Sequence, residues 1–394
     1  MGNFCLQKIK KMKMIYLDNA ATTPVDEQVV KAMLPYFSER YGNASSLHYL
    51  GEDARRAVEE AREIIAGSIG AKYKEIIFTG SGTEANNLVV KGLFFSNYPQ
   101  KNHIITTKIE HDCILNSCKW LETQGAKVTY LEVDEEGFVN PKDIEKAIND
   151  KTFLVSVIHG NNEIGTIQDL EAIGRICREK GVYFHTDACQ SYTKVPIDVK
   201  KMNLDLMTLN AHKIYGPKGV GALYIREELK SKITPLLHGG GHEFKLRSGT
   251  ENVPGIVGFA KAVKIANSRD VKNMERLKDY IIDEILKIPN TKLNGTSGNK
   301  RLCNNINVSF RNIEGEAIGS YLNSKGIFTS TGSACSSKSL EPSHVLLALG
   351  LIPIEANSSI RITISKYTTQ EEIDYALQEL KKTVEKLRKI SPLA

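Results

Sequence analysis

Short apolar runs alternate with longer amphipathic runs between residues 26 and 225, and this alternation constrains the fold more than any other feature of the sequence. The apolar runs are rich in β-branched and aromatic residues, which is typical of strands buried on both faces of a sheet. Amphipathic runs such as 26–38, 54–69 and 170–180 have the length of helices. The pattern predicts an α/β fold in which helical crossovers join the strands of a mostly parallel sheet. The seven predicted strands are 76–79, 103–106, 127–131, 153–158, 182–186, 204–209 and 220–225.

The sequence pattern changes after three consecutive glycines at 239–241. A long helical region is predicted over 256–286, followed by a few strands and a charged helix over 370–388. These elements indicate a second, smaller α+β domain. We therefore expect a basic extension over residues 1–14, a large domain over 15–258 and a small C-terminal domain over 259–394.

The charge balance favours a small molecule as the substrate. The net charge of +6 comes from 52 basic and 46 acidic residues that are spread along the 394-residue chain. This charge is too dilute to indicate nucleic acid or a membrane surface as the main partner. In addition, no apolar run approaches the roughly 18 residues that span a bilayer. We expect no direct contact with nucleic acid and none with a membrane.

Two features favour a cytoplasmic location. The lysines at 8, 10, 11 and 13 resemble the basic region of a signal peptide, but three apolar residues follow Met14 before Asp18. A signal peptide needs a longer apolar core, so we expect a solvated basic extension. Seven cysteines, an odd number without framework spacing, indicate reduced thiols.

A glycine-rich segment, GSGTE at 80–84, follows the first predicted strand and opens a helix. Backbone N–H groups at such a turn, together with the helix dipole, can bind a phosphate. The segment is not a Walker loop, because no Lys-Ser/Thr pair follows the glycines. An ordinary turn with Thr83 as the helix cap explains the same residues, and this motif alone does not choose between the two.

Asp187 lies at the end of a predicted strand, in FHTDACQ at 184–190. Ligands of open α/β sheets bind beyond the carboxyl ends of the strands, so this carboxylate could hold a heteroaromatic nitrogen protonated. Alternatively, Asp187 caps the next helix. His185 lies on the same strand face, where a core histidine is more typical than a catalytic one.

Lys213 lies in a turn between two apolar strands, in NAHKIYGPKG at 210–219. Desolvation at this depth lowers the pKa of an amine toward its nucleophilic form, which Schiff-base chemistry requires. The alternative is a surface lysine, as we interpret Lys218 in the same turn. The spacing does not decide between these interpretations.

Cys335 lies among small polar residues, in TSTGSACSSKS at 329–339, whereas Cys177 and Cys303 lie in apolar sequence typical of a core. Exposure and mobility suit a thiol that must reach a substrate and then a partner. The alternative is an incidental surface cysteine. Cys113 and Cys118 lack a second ligand pair of zinc-finger spacing, so we predict no metal site.

Arg361 lies on an alternating strand, SIRIT at 359–363, from which it could clamp a carboxylate in bidentate fashion. A surface salt bridge is its ordinary alternative. Asn162 and His111 follow two predicted strands, at the same kind of position as Asp187.

Together these segments resemble the pyridoxal-phosphate (PLP) enzymes of aminotransferase class V, and among them the cysteine desulfurases. The resemblance covers roughly residues 15–385, and the motifs occur in the same order along the chain as in the family. A set of motifs is far more specific than any single motif. The matching segments are 16–23 (YLDNAATT), 42–46 (GNASS), 83–87 (TEANN), 161–165 (NNEIG), the Lys213 turn, 247–252 (RSGTEN), 333–337 (SACSS) and 341–346 (EPSHVL).

The resemblance implies the type I fold of PLP-dependent transferases, with PLP as the cofactor. It implies that Lys213 forms the Schiff base and that Asp187 pairs with the pyridinium nitrogen, so that the ring serves as an electron sink. Gln190 is then expected to contact the phenolic oxygen of the ring. His111 is expected to stack on the ring and to take part in proton transfers.

The resemblance also implies the other contacts of the site. The phosphate is expected to be held by Gly82, Thr83 and His212, with Asn210 beside them and Thr250 reaching over from a neighbouring subunit. A homodimer with shared sites follows. Asn162 and Arg361 are expected to bind the carboxylate of L-cysteine, and Asn162 also lies against the cofactor.

Cys335 is expected to attack the sulfur of the substrate, which leaves a persulfide on the enzyme and releases alanine. The segment at about 328–341 resembles the longer version of the family's cysteine loop, and a mobile loop of this kind suits delivery to a protein. The expected acceptor is an iron–sulfur scaffold or a tRNA-thiolation relay. Cys335 could transiently ligate an iron–sulfur cluster during that transfer.

Asn210 departs from the family pattern, which usually has serine at this position. The amide can still donate a hydrogen bond but has a different reach, so phosphate affinity or orientation is expected to differ. A selenocysteine lyase or another class V aminotransferase is an alternative on the same fold, and dependence of L-cysteine turnover on Cys335 separates these from a desulfurase. A scaffold without activity would have no use for Lys213, Asp187, His111 and Cys335 together.

Overall fold

The computed structural model describes residues 14–331 and 341–391. Its strands are β1 (Ile15–Tyr16), β2 (Ile76–Thr79), β3 (His103–Thr107), β4 (Lys127–Leu131), β5 (Thr152–Ser156), β6 (Tyr183–Asp187), β7 (Leu206–Asn210), β8 (Gly221–Ile225), β9 (Thr291–Leu293), β10 (Asn305–Phe310), β11 (Ile327–Phe328) and β12 (Ser359–Thr363). Its α-helices are Glu27–Met33, Pro35–Ser38, Tyr49–Gly67, Gly82–Asn97, Asp112–Glu122, Pro141–Ala147, Leu170–Lys180, Val253–Ile265, Ser268–Leu286, Gly315–Ser324, His344–Ala348, Pro353–Asn357 and Gln370–Ile390.

The strands β2 to β8 form a seven-stranded sheet in the order β2-β8-β7-β6-β5-β3-β4. β8 runs antiparallel to β2 and β7, and the other neighbouring strands are parallel. All seven predicted strands are present, with ends that differ by at most two residues. The predicted α/β fold around a seven-stranded, mainly parallel sheet is confirmed.

Both faces of this sheet are buried, which explains why its strands lack polar alternation. On β8, Ala222 and Tyr224 point into one core, whereas Leu223 and Ile225 point into another. The first core is covered by the helices Tyr49–Gly67, Leu170–Lys180 and Val253–Ile265, and the second by Gly82–Asn97 and Asp112–Glu122. The helices therefore lie on both sides of the sheet and leave its strand ends open.

A second layer is built from the antiparallel sheet β12-β10-β9 and the helices Ser268–Leu286 and Gln370–Ile390, which share one apolar core. The predicted helical region over 256–286 is divided into two helices in the structure. Asn267 divides it, because its side chain accepts the N–H of Asp270 at 3.0 Å and caps the second helix. The predicted C-terminal helix is confirmed and ends at Ile390.

The beginning of the described chain lies in this second layer. β1 pairs in parallel with β11, and Ile15 and Leu17 are buried in the same core as the C-terminal helices. Asp18 then forms an isolated bridge with Thr363 of β12. The chain therefore passes from the second layer to the edge of the large sheet. The division into two domains at residue 258 stays a prediction. None of the described helices combines the length and apolar character that a membrane crossing requires.

A buried ion pair ties the segment after the glycine run to the large sheet. The guanidinium of Arg62 donates to both carboxylate oxygens of Glu243 at 2.7 Å, and both residues are buried. The N–H of Phe78 on β2 also donates to the Glu243 carboxylate, at 2.7 Å. Removing one partner of such a pair leaves the other charge buried and uncompensated.

We expect Arg62→Met to lower the free energy of unfolding by about 3 kcal/mol or more. The matched control is Lys31→Met, since Lys31 pairs with Glu27 at the same 2.7 Å, but the two side chains are 69% and 82% exposed. Loss of this exposed pair should cost less than about 1 kcal/mol. Denaturant unfolding midpoints measure both, and equal effects of the two variants would contradict the structural role of the Arg62 pair.

Candidate active site

Asp187 ends β6, and donors hold both oxygens of its carboxylate. Oδ1 accepts the N–H of Cys189 at 2.9 Å, and Oδ2 accepts the side-chain amide of Asn86 at 2.6 Å. The side chain is buried at the carboxyl edge of the sheet. The residues after it form turns and no helix, so the helix-cap alternative does not apply. The carboxylate is fixed in the crevice where α/β sheets bind ligands.

His111 follows β3 and is joined to Asp187 by side-chain contacts. His111 caps the helix Asp112–Glu122, and its Nδ1 accepts the N–H of Cys113 at 3.1 Å. Because a backbone N–H can only donate, the proton of the neutral ring lies on Nε2. Sγ of Cys113 lies 3.0 Å from Nδ1 and accepts the amide of Asn86 at 3.1 Å. Asn86 therefore orients Asp187 and contacts the cysteine beside His111.

Gly82 begins the helix Gly82–Asn97, and a side chain at this position would not fit. A Cβ on Gly82 would lie 2.6 Å from Sγ of Cys189 and 3.7 Å from Nδ2 of Asn210. Ser81 caps the helix by accepting the N–H of Glu84 at 3.1 Å, so the interpretation of Thr83 as the cap is wrong. Thr83 is exposed in the first turn, where free backbone N–H groups and the helix dipole favour an anion.

Lys213 and Gln190 converge on one carbonyl group. Nζ of Lys213 donates to the carbonyl oxygens of Ala20 and Ala21, the latter at 2.9 Å. The amide of Gln190 donates to the same Ala20 oxygen at 2.9 Å. Lys213 is half-buried with its amine directed at these carbonyl groups, whereas Lys218 is exposed as predicted.

His212 lies next to Lys213 and is neutral at physiological pH. Burial, together with the positive charges of Lys213, Lys218 and Lys194, lowers the pKa of His212 to about 4. Its Nδ1 lies 3.2 Å from the hydroxyl of Thr22. His185 is fully buried between Ser156 and Thr208, and burial lowers its pKa to about 4 as well, so it is a neutral core histidine, as predicted.

Arg361 lies on β12, is 3% exposed, and faces the edge of the large sheet. Its Nη2 donates to Asp18 at 2.9 Å, and its Nη1 donates to the carbonyl oxygen of Asn162 at 3.2 Å. The surface salt bridge considered above is therefore wrong, because this guanidinium is buried beside Asn162. The contact brings the two predicted carboxylate-binding residues together.

The predicted site residues thus lie together at the carboxyl edge of the large sheet, with the exceptions of Thr250 and Cys335. Thr250 is exposed, three residues after Arg247, which pairs with Glu84 at 2.8 Å near the start of the glycine-rich helix. Cys335 lies outside the described residues. Within the described ranges, no group of three or more His, Cys, Asp or Glu side chains is arranged to hold a metal ion.

Glu110 is a site residue that the sequence did not reveal. It is fully buried next to His111, and its Oε1 accepts the hydroxyl of Thr107 at 2.7 Å and the N–H of Ile158 at 2.9 Å. Burial, with a smaller contribution from the Asp187 carboxylate, raises the pKa of Glu110 to about 8. Glu110 thus joins the ends of β3 and β5 as a neutral carboxyl at pH 7.

We expect Glu110→Gln to change how stability depends on pH. The pKa of Glu110 in the folded state is about 8, above the ordinary 4.5. Between these two values the folded state keeps a proton that the unfolded state has lost, so the stability of the wild type falls as pH rises through this range. Glutamine does not titrate, so the variant should gain in melting temperature relative to wild type between about pH 5 and 8. Thermal unfolding measures this difference, with the exposed Glu135→Gln as control. A difference that stays constant with pH would contradict the raised pKa.

The chain is similar to known proteins over nearly its whole length. The family described as Aminotransferase class-V matches residues 15–376. The cysteine desulfurase IscS of Methanosarcina thermophila is 50% identical over 384 residues, which cover 97% of this chain and 94% of that relative.

Two solved structures are similar to this chain in fold. A NifS-like protein has a TM-score of 0.89 and 39% identity, and the match covers 95% of this chain and 100% of that one. A structure described as SspA in complex with cysteine has a TM-score of 0.81 and 41% identity, covering 90% and 100%. These matches confirm the predicted type I fold of PLP-dependent transferases. The chain belongs to the aminotransferase class V family and, within it, to the cysteine desulfurases.

Proposed function

We propose that the chain is a PLP-dependent cysteine desulfurase that converts L-cysteine to L-alanine and keeps the sulfur as a persulfide on Cys335. The sulfur is then passed on for iron–sulfur cluster assembly or tRNA thiolation. The observation that carries the proposal is the convergence of His111, Asp187, Gln190 and Lys213 at one edge of the sheet. The relatives named cysteine desulfurase and the neighbour in complex with cysteine support the substrate.

The residues at this edge fit the cofactor. Within the described chain, buried polar atoms at this edge lack a hydrogen-bond partner, and among them Nε of Arg361 is a donor that an anionic group can satisfy. Such atoms are costly unless a ligand satisfies them. Gly82 leaves a concave space that a Cβ would fill. When bound, PLP supplies an electron sink for carbanion chemistry at the substrate.

Around the pyridine ring, each residue has one role. Lys213 would hold PLP by its amine, and the carboxylate of Asp187 would keep the ring nitrogen protonated. Gln190 would donate to the phenolic oxygen. His111, whose proton lies on Nε2 in the neutral ring, would stack on PLP and move protons at that atom.

The phosphate would lie at the start of the helix Gly82–Asn97. Backbone N–H groups and the hydroxyl of Thr83 would donate to it there. The neutral His212 would donate one ring N–H. Nδ2 of Asn210 faces the Gly82 position, so the amide would take the place of the serine that the family usually has.

Arg361 and Asn162 would bind the carboxylate of L-cysteine. Asp18 holds one terminal nitrogen of Arg361 at 2.9 Å, which orients the guanidinium before the substrate arrives. The side chain of Asn162 would add a neutral donor beside it. A bidentate contact of this type fixes the amino acid relative to Lys213 and His111.

Cys335 would be the thiol that accepts the sulfur. Burial raises the pKa of each described cysteine: to about 12 for Cys113, Cys118 and Cys177, to about 11 for Cys303, and well above the ordinary value for Cys189. These five thiols are protonated at neutral pH and poor nucleophiles. The Cys335 thiolate would attack the substrate sulfur, a new S–S bond would form as the C–S bond breaks, and the released carbon would be protonated to give alanine.

We further propose a cytoplasmic homodimer in which Thr250 completes the phosphate site of the partner. The exposed positions of Leu34, Phe37, Leu47 and Tyr49 support an interface near the start of the chain. Burial of these side chains against a second copy would remove apolar surface from water, which favours association. The described cysteines are free, which supports a reducing compartment.

We expect Gly82→Ala to weaken PLP binding at least about tenfold, because the added methyl group displaces Cys189 and fills the space beside the phosphate. Titration of the apoprotein with PLP, followed by absorbance, measures the dissociation constant. Gly319→Ala is the matched control, since a Cβ on this helical glycine meets no atom within 4 Å. Unchanged PLP affinity in Gly82→Ala would contradict the placement of the phosphate.

We expect Lys213→Ala and Cys335→Ser to lower alanine formation from L-cysteine by about 100-fold or more. The assay uses purified protein under reducing conditions, with mass spectrometry of the persulfide on Cys335. Cys177→Ser, which changes a buried core thiol, is the control for loss of a cysteine. If Cys335→Ser keeps full activity, the thiol is not the nucleophile, and a selenocysteine lyase or another class V aminotransferase replaces the proposal.

A further inference from the structure

Lys194 is a buried lysine that none of the roles above uses. It is 8% exposed and lies in the turn four residues after Gln190. Its Nζ donates to the carbonyl oxygen of Gln190 at 2.8 Å and to the carbonyl oxygen of Lys213 at 3.2 Å. Lysine is rarely buried unless it is paired. Here the amine is paired with two carbonyl groups of the main chain.

These two carbonyl groups belong to the residues whose side chains converge on Ala20. The amide of Gln190 and the amine of Lys213 both donate to the Ala20 oxygen. Lys194 thus joins the two main chains, and Ala20 joins the two side chains. The four contacts form a closed ring through Lys194, Gln190, Ala20 and Lys213.

The environment of Lys194 is unfavourable for an amine that serves packing alone. Burial lowers the pKa of Lys194 to about 8, and the titratable side chains that interact with it are the thiols of Cys303 and Cys189 and the ring of His212, which are all uncharged at neutral pH. A methionine would fill similar volume without a polar atom to desolvate. The cost of the buried amine therefore indicates that its two hydrogen bonds have a use.

We propose that Lys194 is a positioning residue that aims Lys213 and Gln190 at PLP by holding their main chains together. The inference rests on the roles proposed above for these two residues. Without the amine, the turn that carries Gln190 and the turn that carries Lys213 lose the two hydrogen bonds that Lys194 makes to them. The affinity for PLP and the chemical environment of Lys213 in the loaded protein then change, although neither side chain is altered.

The test compares Lys194→Met with Lys278→Met. Lys278 is a second buried lysine, 1% exposed, in the second layer. Its Nζ donates to the carbonyl oxygen of Gly298 at 3.0 Å and also pairs with the carboxylate of Asp279 at 3.1 Å. Both variants remove a buried amine bound to main-chain oxygen, so both report the cost to stability. Three readouts are taken on the full chain: the melting temperature, the dissociation constant for PLP, and the pH midpoint of the visible absorption band of bound PLP.

We expect both variants to lower the melting temperature. Lys194→Met should also weaken PLP binding about tenfold, since it removes two hydrogen bonds that order the site. It should move the pH midpoint of the visible band by about half a unit or more, because the surroundings of Lys213 change. Lys278→Met should leave both PLP readouts at the wild-type values.

The proposal is overturned if Lys194→Met lowers the melting temperature as Lys278→Met does but keeps the wild-type PLP affinity and pH midpoint. If Lys194→Met does not fold, Lys194→Gln, which keeps an N–H donor on a shorter side chain, is judged by the same readouts. Failure of the proposed role of Lys213 is seen separately, as a visible band that persists in Lys213→Ala. In that case Lys194 is not a positioning residue for this site.

Discussion

Four neighbouring strands, β3, β5, β6 and β7, run parallel and end at the same edge of the sheet, and the rest of the site depends on this constraint. Parallel strands bring the residues that follow them together, although they are far apart in sequence. His111 and Asn162 follow β3 and β5, whereas Asp187 and Asn210 are the last residues of β6 and β7. Because helices cover both faces of the sheet, this edge is where polar side chains can meet a ligand without disturbing the core.

Residues near the start of the described chain make direct contacts with the site residues at this edge. The chain leaves the second layer at β1, crosses to the sheet edge, and presents Asp18 to Arg361 and the carbonyl oxygen of Ala20 to Lys213 and Gln190. One short segment thus contacts both Arg361 and Lys213. The second layer is therefore joined to the site by direct contacts as well as by the chain connection.

The sequence predicted the seven strands because buried strands between helical runs have a clear apolar pattern. It also predicted the polar residues at the strand ends, since these belong to recognisable motifs. It did not reveal Glu110, Asn86 or Lys194, whose importance comes from contacts with residues distant in sequence or with main-chain oxygens. It named Thr83 as the helix cap instead of Ser81, because either hydroxyl can accept a backbone N–H and only the backbone path decides which one does.

The roles proposed for these residues require PLP to lie at this edge, between His111 and the strand ends, with its ring nitrogen at Asp187. A crystal structure of the PLP-loaded protein would show where the cofactor binds. We predict the ring nitrogen within about 3 Å of the Asp187 carboxylate, a covalent bond from Lys213 to the cofactor, and the phosphate beside Gly82 and His212. A cofactor bound elsewhere, or a ring nitrogen that faces no carboxylate, would contradict the proposed site.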